Sequence, residues 1–205
     1  METVLSSVPR ETQEKILAYA NLVEAWNHHL NLTGAKSAKE FLDSQIADCL
    51  AAAPLMPQDL AWIDVGSGAG LPGIPLALLF PQTSFLLVES LQKRVAFLHR
   101  AISLLQLKNV EVRAGRFEEL SLTSIPERFS QAEIVSRGTE SPEDLLRMAM
   151  ESPIPWRQWW VFSSEKTHLE FLRLTKNSGI SCSRHDYSGK NLTRNGILSC
   201  LQRRS

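Results

Sequence analysis

The sequence predicts an α/β fold in which a largely parallel sheet is covered by helices on both faces. From residue 60 onward, short and nearly continuous apolar segments alternate with helical ones, as in parallel strands buried on both sides. Four glycines, from Gly66 to Gly73, fall within eight residues between the first apolar segment and the next helix. A strand, a tight glycine turn and a helix bring the backbone of an α/β sheet closest to a nucleotide-like ligand.

Two helical segments are predicted before the sheet. Apolar side chains recur at helical spacing over residues 11–30, and a second helix is predicted over 38–53, with Ser37 as its cap and Pro54 at its end. Residues 54–59 have the composition of a linker. We therefore expect residues 1–57 to form an N-terminal helical extension and residues 58–205 to form the α/β domain.

Strands and helices alternate through the rest of the chain. Strands are predicted over residues 60–65, 84–89, 109–113, 132–136 and 159–163, followed by a C-terminal hairpin over 180–187 and 197–201. Helices are predicted over residues 74–80, 93–105, 141–150 and 167–177. In the third of these helices, Ser141 suits the cap and Pro142 the first helical position.

The composition is that of an ordinary globular protein, but its charge is unevenly placed. Residues are 43% hydrophobic and 21% charged, and the formal net charge is zero. Residues 1–61 carry four basic against eight acidic side chains, residues 92–116 carry six against one, and residues 166–205 carry eight against two. This asymmetry favours a polyanionic partner over a neutral small molecule.

The cysteines and the N-terminus predict a cytoplasmic protein. Cys49, Cys182 and Cys200 are odd in number and lack metal-ligand spacing, so we expect free thiols in a reducing compartment. The N-terminal residues lack the profile of a signal peptide, and no apolar run approaches the roughly 20 residues that span a bilayer. The five histidines form no cluster in the sequence and are expected at the surface.

Two cofactors compete for the glycine turn. The spacing Gly68-x-Gly70-x-x-Gly73 satisfies the dinucleotide fingerprint, but it begins three residues past the predicted strand end. At the strand end stands Asp64-x-Gly66-x-Gly68-x-Gly70, which resembles the first motif of S-adenosylmethionine-dependent methyltransferases. A carboxylate in the turn argues against a pyrophosphate, so we favour the methyl donor. Glu89, 23 residues after Gly66, is a candidate acceptor for ribose hydroxyls.

Further segments resemble the bacterial small-subunit ribosomal RNA methyltransferase G family, also called glucose-inhibited division protein B. The resemblance covers about residues 10–140, in order. The matching segments are Trp26-Asn27-x-x-Leu30-Asn31-Leu32-Thr33, the run from Asp64 to Pro75, the run from Glu89 to Leu98, Asn109 to Val112, Arg116-Phe117-Glu118-Glu119, and Ser136-Arg137. The run from Asp64 to Pro75 followed by the run from Glu89 to Leu98 is highly specific, whereas the C-terminal third matches only as an α/β pattern.

The resemblance implies a Rossmann-like class I S-adenosylmethionine-dependent methyltransferase with an N-terminal helical extension. The implied reaction is methylation of ring nitrogen 7 of a guanine in a conserved loop of 16S ribosomal RNA, with the RNA or the 30S subunit as partner of a monomeric protein. The implied cofactor contacts are Gly66, Leu71, Glu89, Phe117, Glu118 and Arg137. The implied substrate contacts are Asn31, Thr33, Lys93 and Arg94.

The acceptor determines the expected mechanism. Guanine nitrogen 7 has a lone pair and no proton, so its attack on a sulfonium methyl group needs no general base. Catalysis then rests on orientation, which supplies about 7–11 kcal/mol in well-oriented reactions. We accordingly predict no catalytic acid or base in this chain.

Three positions depart from the family pattern and keep other functions open. Gln45 stands where the family has histidine, Ser163-Ser164 replaces a lysine and glycine, and Gly138 replaces an alanine. The departures at Gln45 and Ser163 motivate an alternative acceptor, either another RNA site or a small molecule. Two other hypotheses are a non-catalytic RNA-binding module that retains the cofactor pocket, and a dinucleotide-dependent oxidoreductase. The Asn31-Leu32-Thr33 segment has its own alternative, a helix C-cap and turn.

Overall fold

The computed structural model describes residues 5–6, 8–138, 140–189, 192 and 195–204. The chain begins with α1 (Arg10–Leu30). A second helical segment follows, made of α2 (Ala38–Phe41), a π-helical turn (Leu42–Ile46), α3 (Ala47–Ala52) and a 3-10 turn (Ala53–Leu55). The Ser37 side chain caps it by accepting from the Glu40 N–H, as predicted. The predicted residues 38–53 are thus helical throughout, but the π-helical winding of the middle was not predicted.

A seven-stranded sheet forms the centre of the molecule. Its strands are β1 (Trp62–Val65), β2 (Phe85–Glu89), β3 (Val110–Ala114), β4 (Glu133–Arg137), β5 (Gln158–Ser163), β6 (Ile180–Tyr187) and β7 (Gly196–Arg203). Their order is β3-β2-β1-β4-β5-β7-β6, with β1 to β5 parallel and β7 antiparallel to both of its neighbours. The predicted parallel sheet and the C-terminal hairpin are therefore confirmed.

The helices between the strands are α4 (Gly73–Leu79), α5 (Gln92–Leu105), α6 (Pro142–Met150) and α7 (Glu165–Leu174). Their bounds lie within two residues of the predicted ones, except that the last predicted turn of α7 is a 3-10 turn, Thr175–Asn177. Among the described residues, no helix is both long enough and apolar enough to cross a membrane.

Each face of the sheet carries its own hydrophobic core. Trp62, Phe85 and Leu87 pack with helices α1 to α5, whereas the alternate residues Ile63 and Val65 pack with α6 and α7. This alternation follows from the two-residue period of a strand. The N-terminal helices thus share one core with the sheet. Three polar residues of the sheet, Asp64, Glu89 and Arg137, lie at strand positions that face those helices.

One histidine departs from the prediction that all five lie at the surface. His168 is buried under β7, where its Nδ1 lies 2.9 Å from the hydroxyl of Ser199. Burial lowers the pKa of His168, so a neutral imidazole is favoured there. This histidine serves packing between α7 and the hairpin.

The sheet has its topological switch point between β1 and β4, where ligands bind in open α/β folds. In the register of the sheet, Val65 pairs with Val88 on one side and Ser136 on the other. The next residues along the three strands are Gly66, Glu89 and Arg137. Three predicted cofactor residues therefore reach the same carboxyl edge of the sheet.

Candidate functional site

The glycine turn after β1 depends on backbone angles that favour glycine. Gly66, Gly68 and Gly70 have φ values of 69°, 56° and 90°. The N–H groups of Gly66 and Ser67 both donate to the carbonyl oxygen of Val88, which fixes the start of the turn on β2. At Gly70 a Cβ would also lie 2.4 Å from the Ile74 side chain, so a larger residue would be strained in its backbone and would have to displace Ile74.

Asp64 lies beneath this turn and is fully buried. Its Oδ2 accepts a hydrogen bond from the Gly73 N–H at 3.0 Å, at the start of α4. Its Oδ1 is the one buried side-chain polar atom among the described residues that has no hydrogen-bond partner. Burial raises the pKa of Asp64 to about 7, and the Gly73 N–H, together with the nearby Ser67 hydroxyl, only partly offsets this rise. The site therefore holds a buried acceptor that lacks a donor.

Glu89 braces the turn from the end of β2. It is 4% exposed, and its Oε2 accepts from the Gly68 N–H at 2.9 Å while its Oε1 accepts from the Leu91 N–H at 2.8 Å. The Arg94 guanidinium lies 3.9 Å from the same Oε2. Each carboxylate oxygen can accept a second hydrogen bond. A role for Glu89 on a ribose stays a prediction, and its role in holding the turn is visible here.

A smaller cavity of about 70 Å³ lies over the carboxyl ends of β1, β2 and β3, and Gly66, Phe117 and Glu118 are in its wall. Three of the six predicted cofactor residues are thus brought together. Phe117 also packs edge-on against Trp159, with ring centroids 5.4 Å apart, so it is both a core aromatic and a cavity wall. Sequence reasoning missed Gly115, another cavity residue, although its position two residues after the predicted strand 109–113 was a usable signal.

The other three predicted cofactor residues lie elsewhere. Leu71 is buried in the core on the α1 side, and Glu89 lies under the turn. Arg137 lines a larger cavity of about 920 Å³ between the ends of β4 and β5, the π-helical turn and the C-terminal hairpin. Gly138 belongs to the larger cavity and Glu140 to the smaller one, so the two cavities flank the same segment after β4.

Arg137 belongs to a ring of four side chains in the wall of the larger cavity, which we call the Arg137 ring. Its Nη1 donates to Asp48 Oδ2 at 2.5 Å, and the Tyr187 hydroxyl donates to Asp48 Oδ1 at 2.6 Å. The guanidinium carbon lies 5.2 Å from the centroid of Phe162, whose ring packs edge-on against Tyr187 at 6.1 Å. Sequence reasoning missed Asp48 and Tyr187. The signal for Asp48 was its spacing from Gln45, which matches the family's histidine and aspartate.

The predicted substrate residues of the N-terminal segment lie together after α1. Asn31 is the left-handed C-cap of α1 with φ of 48°, so the alternative of a C-cap and turn describes its backbone correctly. The Thr33 hydroxyl accepts from the Gln45 side chain, and the Thr33 N–H donates to the Asn27 side chain at 2.9 Å. Asn31 and Thr33 both line a cavity of about 370 Å³.

The predicted basic contacts lie apart from these cavities. Lys93 is exposed at the start of α5, and the Arg94 side chain is one-third exposed beside Glu89. Neither residue lines any of the three cavities found among the described residues. The α5 helix nevertheless packs on α1, where the rings of Phe97 and Trp26 lie 5.7 Å apart. Lys93 lies one helical turn before Phe97 on α5.

Comparisons with known proteins agree on one family. The family model GidB, described as rRNA small subunit methyltransferase G, matches residues 12–194. A protein of Hydrogenovibrio crunogenus named ribosomal RNA small subunit methyltransferase G is 37% identical over 169 residues, covering 82% of this chain and 76% of its own. The protein of the same name from Wolinella succinogenes is 39% identical and covers 75% of this chain and 76% of its own.

Solved structures of low sequence identity share the fold. The ribosomal protein L11 methylase of Lactobacillus delbrueckii matches with a TM-score of 0.55 at 13% identity, covering 78% of this chain and 79% of its own. TYW2 of M. jannaschii, in complex with AdoMet, matches with a TM-score of 0.52 at 13% identity, covering 78% and 76%. The class I methyltransferase fold predicted from the sequence is confirmed.

Proposed function

The chain belongs to the rRNA small subunit methyltransferase G family, and from that membership we propose that it methylates ring nitrogen 7 of a guanine in 16S ribosomal RNA. It is an S-adenosylmethionine-dependent methyltransferase of ribosomal RNA. The choice of guanine, of nitrogen 7 and of the conserved loop belongs to the proposal. The structural observation that supports methyl transfer is the cavity over the carboxyl ends of β1, β2 and β3, which is lined by Gly66, Phe117 and Glu118.

The residues present fit S-adenosylmethionine. Positive φ angles at Gly66 and Gly68 let a ligand approach the backbone after β1. The buried Asp64 offers an acceptor without a donor, which suits the cationic amino group of a methionine portion. We propose that Phe117 and Glu118 hold the adenine, that Glu89 binds the ribose, and that Leu71 shapes the turn. The bound cofactor supplies a methyl group carried on a sulfonium.

Arg137 completes this assignment at the end of β4. Its guanidinium matches the geometry of a carboxylate. Arg137 follows Ser136, which pairs in register with Val65 just before Gly66, and this supports a contact with the methionine end of the cofactor. Among the described residues only Nη1 of its three guanidinium nitrogens is hydrogen-bonded, so donors remain for a ligand. We propose that these donors bind the carboxylate of the cofactor.

We propose that the larger cavity receives the acceptor base. Its volume of about 920 Å³ exceeds that of a purine, and it opens between the sheet edge and the N-terminal segment. The residues Asn31 and Thr33 would contact the RNA around that base, and Lys93 and Arg94 would contact its phosphates. The protein then acts by orienting the lone pair of nitrogen 7 toward the methyl group, without accepting a proton.

The remaining parts of the proposal concern the whole protein. Residues 1–57 form a helical extension and residues 58–205 form the methyltransferase domain, which acts as a monomer in the cytoplasm on 16S ribosomal RNA or on the 30S subunit. The division is proposed from the sequence; the two parts share a core, in which the Tyr19 hydroxyl of α1 donates to the carbonyl oxygen of Ala69.

Methyl transfer assays test the reaction. Purified protein is incubated with labelled S-adenosylmethionine and, separately, with 16S RNA, 30S subunits and a pool of small metabolites. We expect label in RNA, and digestion to nucleosides should yield 7-methylguanosine. Label in small molecules alone, or at another RNA position, would contradict the proposed acceptor. Tight cofactor binding with no transfer to any substrate would favour a non-catalytic module.

Calorimetry tests the cofactor site. Titration of the Gly66→Trp variant with S-adenosylmethionine should show no measurable binding, because an indole would fill the backbone approach after β1. Gly34→Trp is the matched control: a Cβ at Gly34 meets no atom within 4 Å, so its cofactor affinity should equal that of the unmodified protein. Equal affinity in Gly66→Trp and the unmodified protein would overturn the site assignment.

A further inference from the structure

We infer that the Arg137 ring is a positioning device, in which Asp48 and Tyr187 hold the Arg137 guanidinium in the orientation that binds the cofactor. The inference rests on the proposed function, because it takes the cofactor carboxylate as the ligand of Arg137. It adds three residues to a site that the motifs confine to the middle of the chain: Asp48 of the N-terminal segment, and Tyr187 and Gly196 of the C-terminal hairpin.

The ring restrains Arg137 from several sides. Asp48 binds one terminal nitrogen of the guanidinium, and Phe162 lies against its face. Asp48 is itself held on its second oxygen by the Tyr187 hydroxyl. The side chains of Arg137 and Asp48 are each only 21% exposed, so their ion pair is partly shielded from water. A long arginine side chain is thereby confined to one orientation before any ligand arrives.

The backbone opposite Tyr187 is shaped for this contact. Tyr187 on β6 pairs in register with Gly196 on β7, and a Cβ at position 196 would lie 2.0–2.4 Å from three atoms of the tyrosine ring and hydroxyl. The ring therefore lies directly across the glycine, as aromatic side chains do over a strand glycine. A Cβ at this position would force the Tyr187 ring to shift, and with it the hydroxyl that bonds Asp48. Gly196 is thus the third positioning residue.

The ring joins segments that are far apart in sequence. Asp48 on α3 lies 89 residues from Arg137 on β4 and 139 residues from Tyr187 on β6. The C-terminal hairpin therefore contributes to the cofactor site through one hydroxyl. Burial raises the pKa of the Tyr187 phenol, and the hydrogen bond to Asp48 raises it further, so the hydroxyl is protonated and acts as a donor at neutral pH.

The test is a double-mutant cycle on cofactor affinity, read by calorimetry on the full chain. Tyr187→Phe removes only the hydroxyl and should raise the Kd for S-adenosylmethionine roughly 3- to 10-fold, the effect of one hydrogen bond. Gly196→Ala should raise it at least as much. If Tyr187 acts through Arg137, Tyr187→Phe should have no further effect in an Arg137→Ala background. Additive effects, or an unchanged Kd in Tyr187→Phe, would overturn the inference.

Two controls separate positioning from general destabilisation. Ser199→Ala removes another buried hydroxyl from the same hairpin, the one bonded to His168, and should lower thermal stability without changing the Kd. Asp48→Glu, which keeps the carboxylate, should retain more affinity than Asp48→Asn. The unmodified protein is assayed first for cofactor binding and for RNA methylation. If the unmodified protein neither binds the cofactor nor methylates RNA, the proposed function is wrong. If it does both and the double-mutant cycle is additive, only the positioning role is wrong.

Discussion

The carboxyl group of Asp64 is buried and accepts one hydrogen bond from the surrounding backbone. The Gly73 N–H satisfies Oδ2, and Oδ1 has no donor among the described residues. Because ionisation is disfavoured in such a place, burial raises the pKa of Asp64 to about 7. In the unfolded chain the group would titrate near its ordinary value of 3.8. Folding of the free protein should therefore become less favourable as the pH rises from about 4 to about 7.

Binding of the cofactor should make the ionised form of Asp64 favourable, whereas burial in the free protein favours the protonated form. A cationic amino group beside the carboxyl favours its ionised form, so binding releases a proton below pH 7. We expect the affinity for S-adenosylmethionine to rise by up to about tenfold per pH unit between about pH 5.5 and 7, because the carboxyl with a pKa of about 7 must ionise for the pair to form. Calorimetry in buffers of different ionisation enthalpy measures both the affinity and the released proton.

Two variants check the source of that pH dependence. Asp64→Asn should bind more weakly and lose the rise with pH, because an amide does not titrate. Asp59→Asn removes an exposed carboxyl of the segment before β1 and should leave the rise intact. A pH dependence that survives in Asp64→Asn would assign it to another group.

Position 73 requires glycine because of close contacts, and not because of its backbone angles. A Cβ there would lie 2.3 Å from the Leu87 side chain and 2.7 Å from Asp64 Oδ2. We expect Gly73→Ala to lower the free energy of unfolding by about 1–3 kcal/mol, the usual cost of overpacking a core. Urea denaturation measures this loss, and Gly34→Ala, which meets open space, should leave stability unchanged or slightly higher. Equal effects of the two substitutions would show that α4 can move away from β2.

At the scale of elements, the sequence predicts well where helices and strands lie and poorly how the second helical segment is wound. Periodicity and caps fixed the ends of that segment, because Ser37 and Pro54 act on their immediate neighbours. The π-helical turn at Leu42–Ile46 has no local signature of that kind. Its hydrogen bonds span one residue more than those of an α-helix, and tertiary contacts decide whether the extra residue is tolerated. Such turns are frequent at functional sites.

The π-helical turn carries Gln45, whose side chain donates to the Thr33 hydroxyl. We expect Gln45→Ala to lower kcat/KM for RNA several-fold while the Kd for S-adenosylmethionine stays unchanged, because the variant loosens only the segment that carries Asn31 and Thr33. Gln45→His, which introduces the residue usual in the family, should retain activity. Steady-state methylation of 30S subunits and cofactor titration measure the two quantities. A matching loss of cofactor affinity would show that the turn serves the cofactor instead.

At the scale of the whole molecule, the motifs predicted the site residues that lie close together in sequence, and only the fold reveals those that come together from distant segments. The run from Asp64 to Pro75 lies within one strand, turn and helix, so its spacing alone locates Gly66. Asp48 and Tyr187 acquire their role only when segments 139 residues apart meet, and no spacing along the chain records that contact. Arg137 was found from sequence, but its place in the larger cavity, away from Phe117, depends on the packing of the N-terminal segment over the sheet.

The uneven distribution of charge over the molecule indicates where RNA binds. Residues 92–116 carry six basic side chains against one acidic one, and Lys93, Arg100, Arg113 and Arg116 are exposed. The one acidic residue, Glu111, is paired with Arg128. Other arginines are already neutralised: Arg173 on α7 is bound to Glu170 and lies 3.6 Å from Glu143. The exposed basic side chains of residues 92–116 should therefore attract RNA phosphates, whereas the paired Arg173 should not.

Salt dependence of RNA binding distinguishes the two kinds of cation. Each phosphate contact to single-stranded RNA contributes about 0.7 to the slope of log K against log salt concentration, because binding releases condensed counterions. We expect Lys93→Ala and Arg100→Ala each to reduce that slope by about 0.7 and to weaken binding uniformly across RNA sequences. Arg173→Ala, with its guanidinium already paired, should leave the slope unchanged. Filter binding at several salt concentrations measures the slopes, and equal slopes in all three variants would place the RNA on another face.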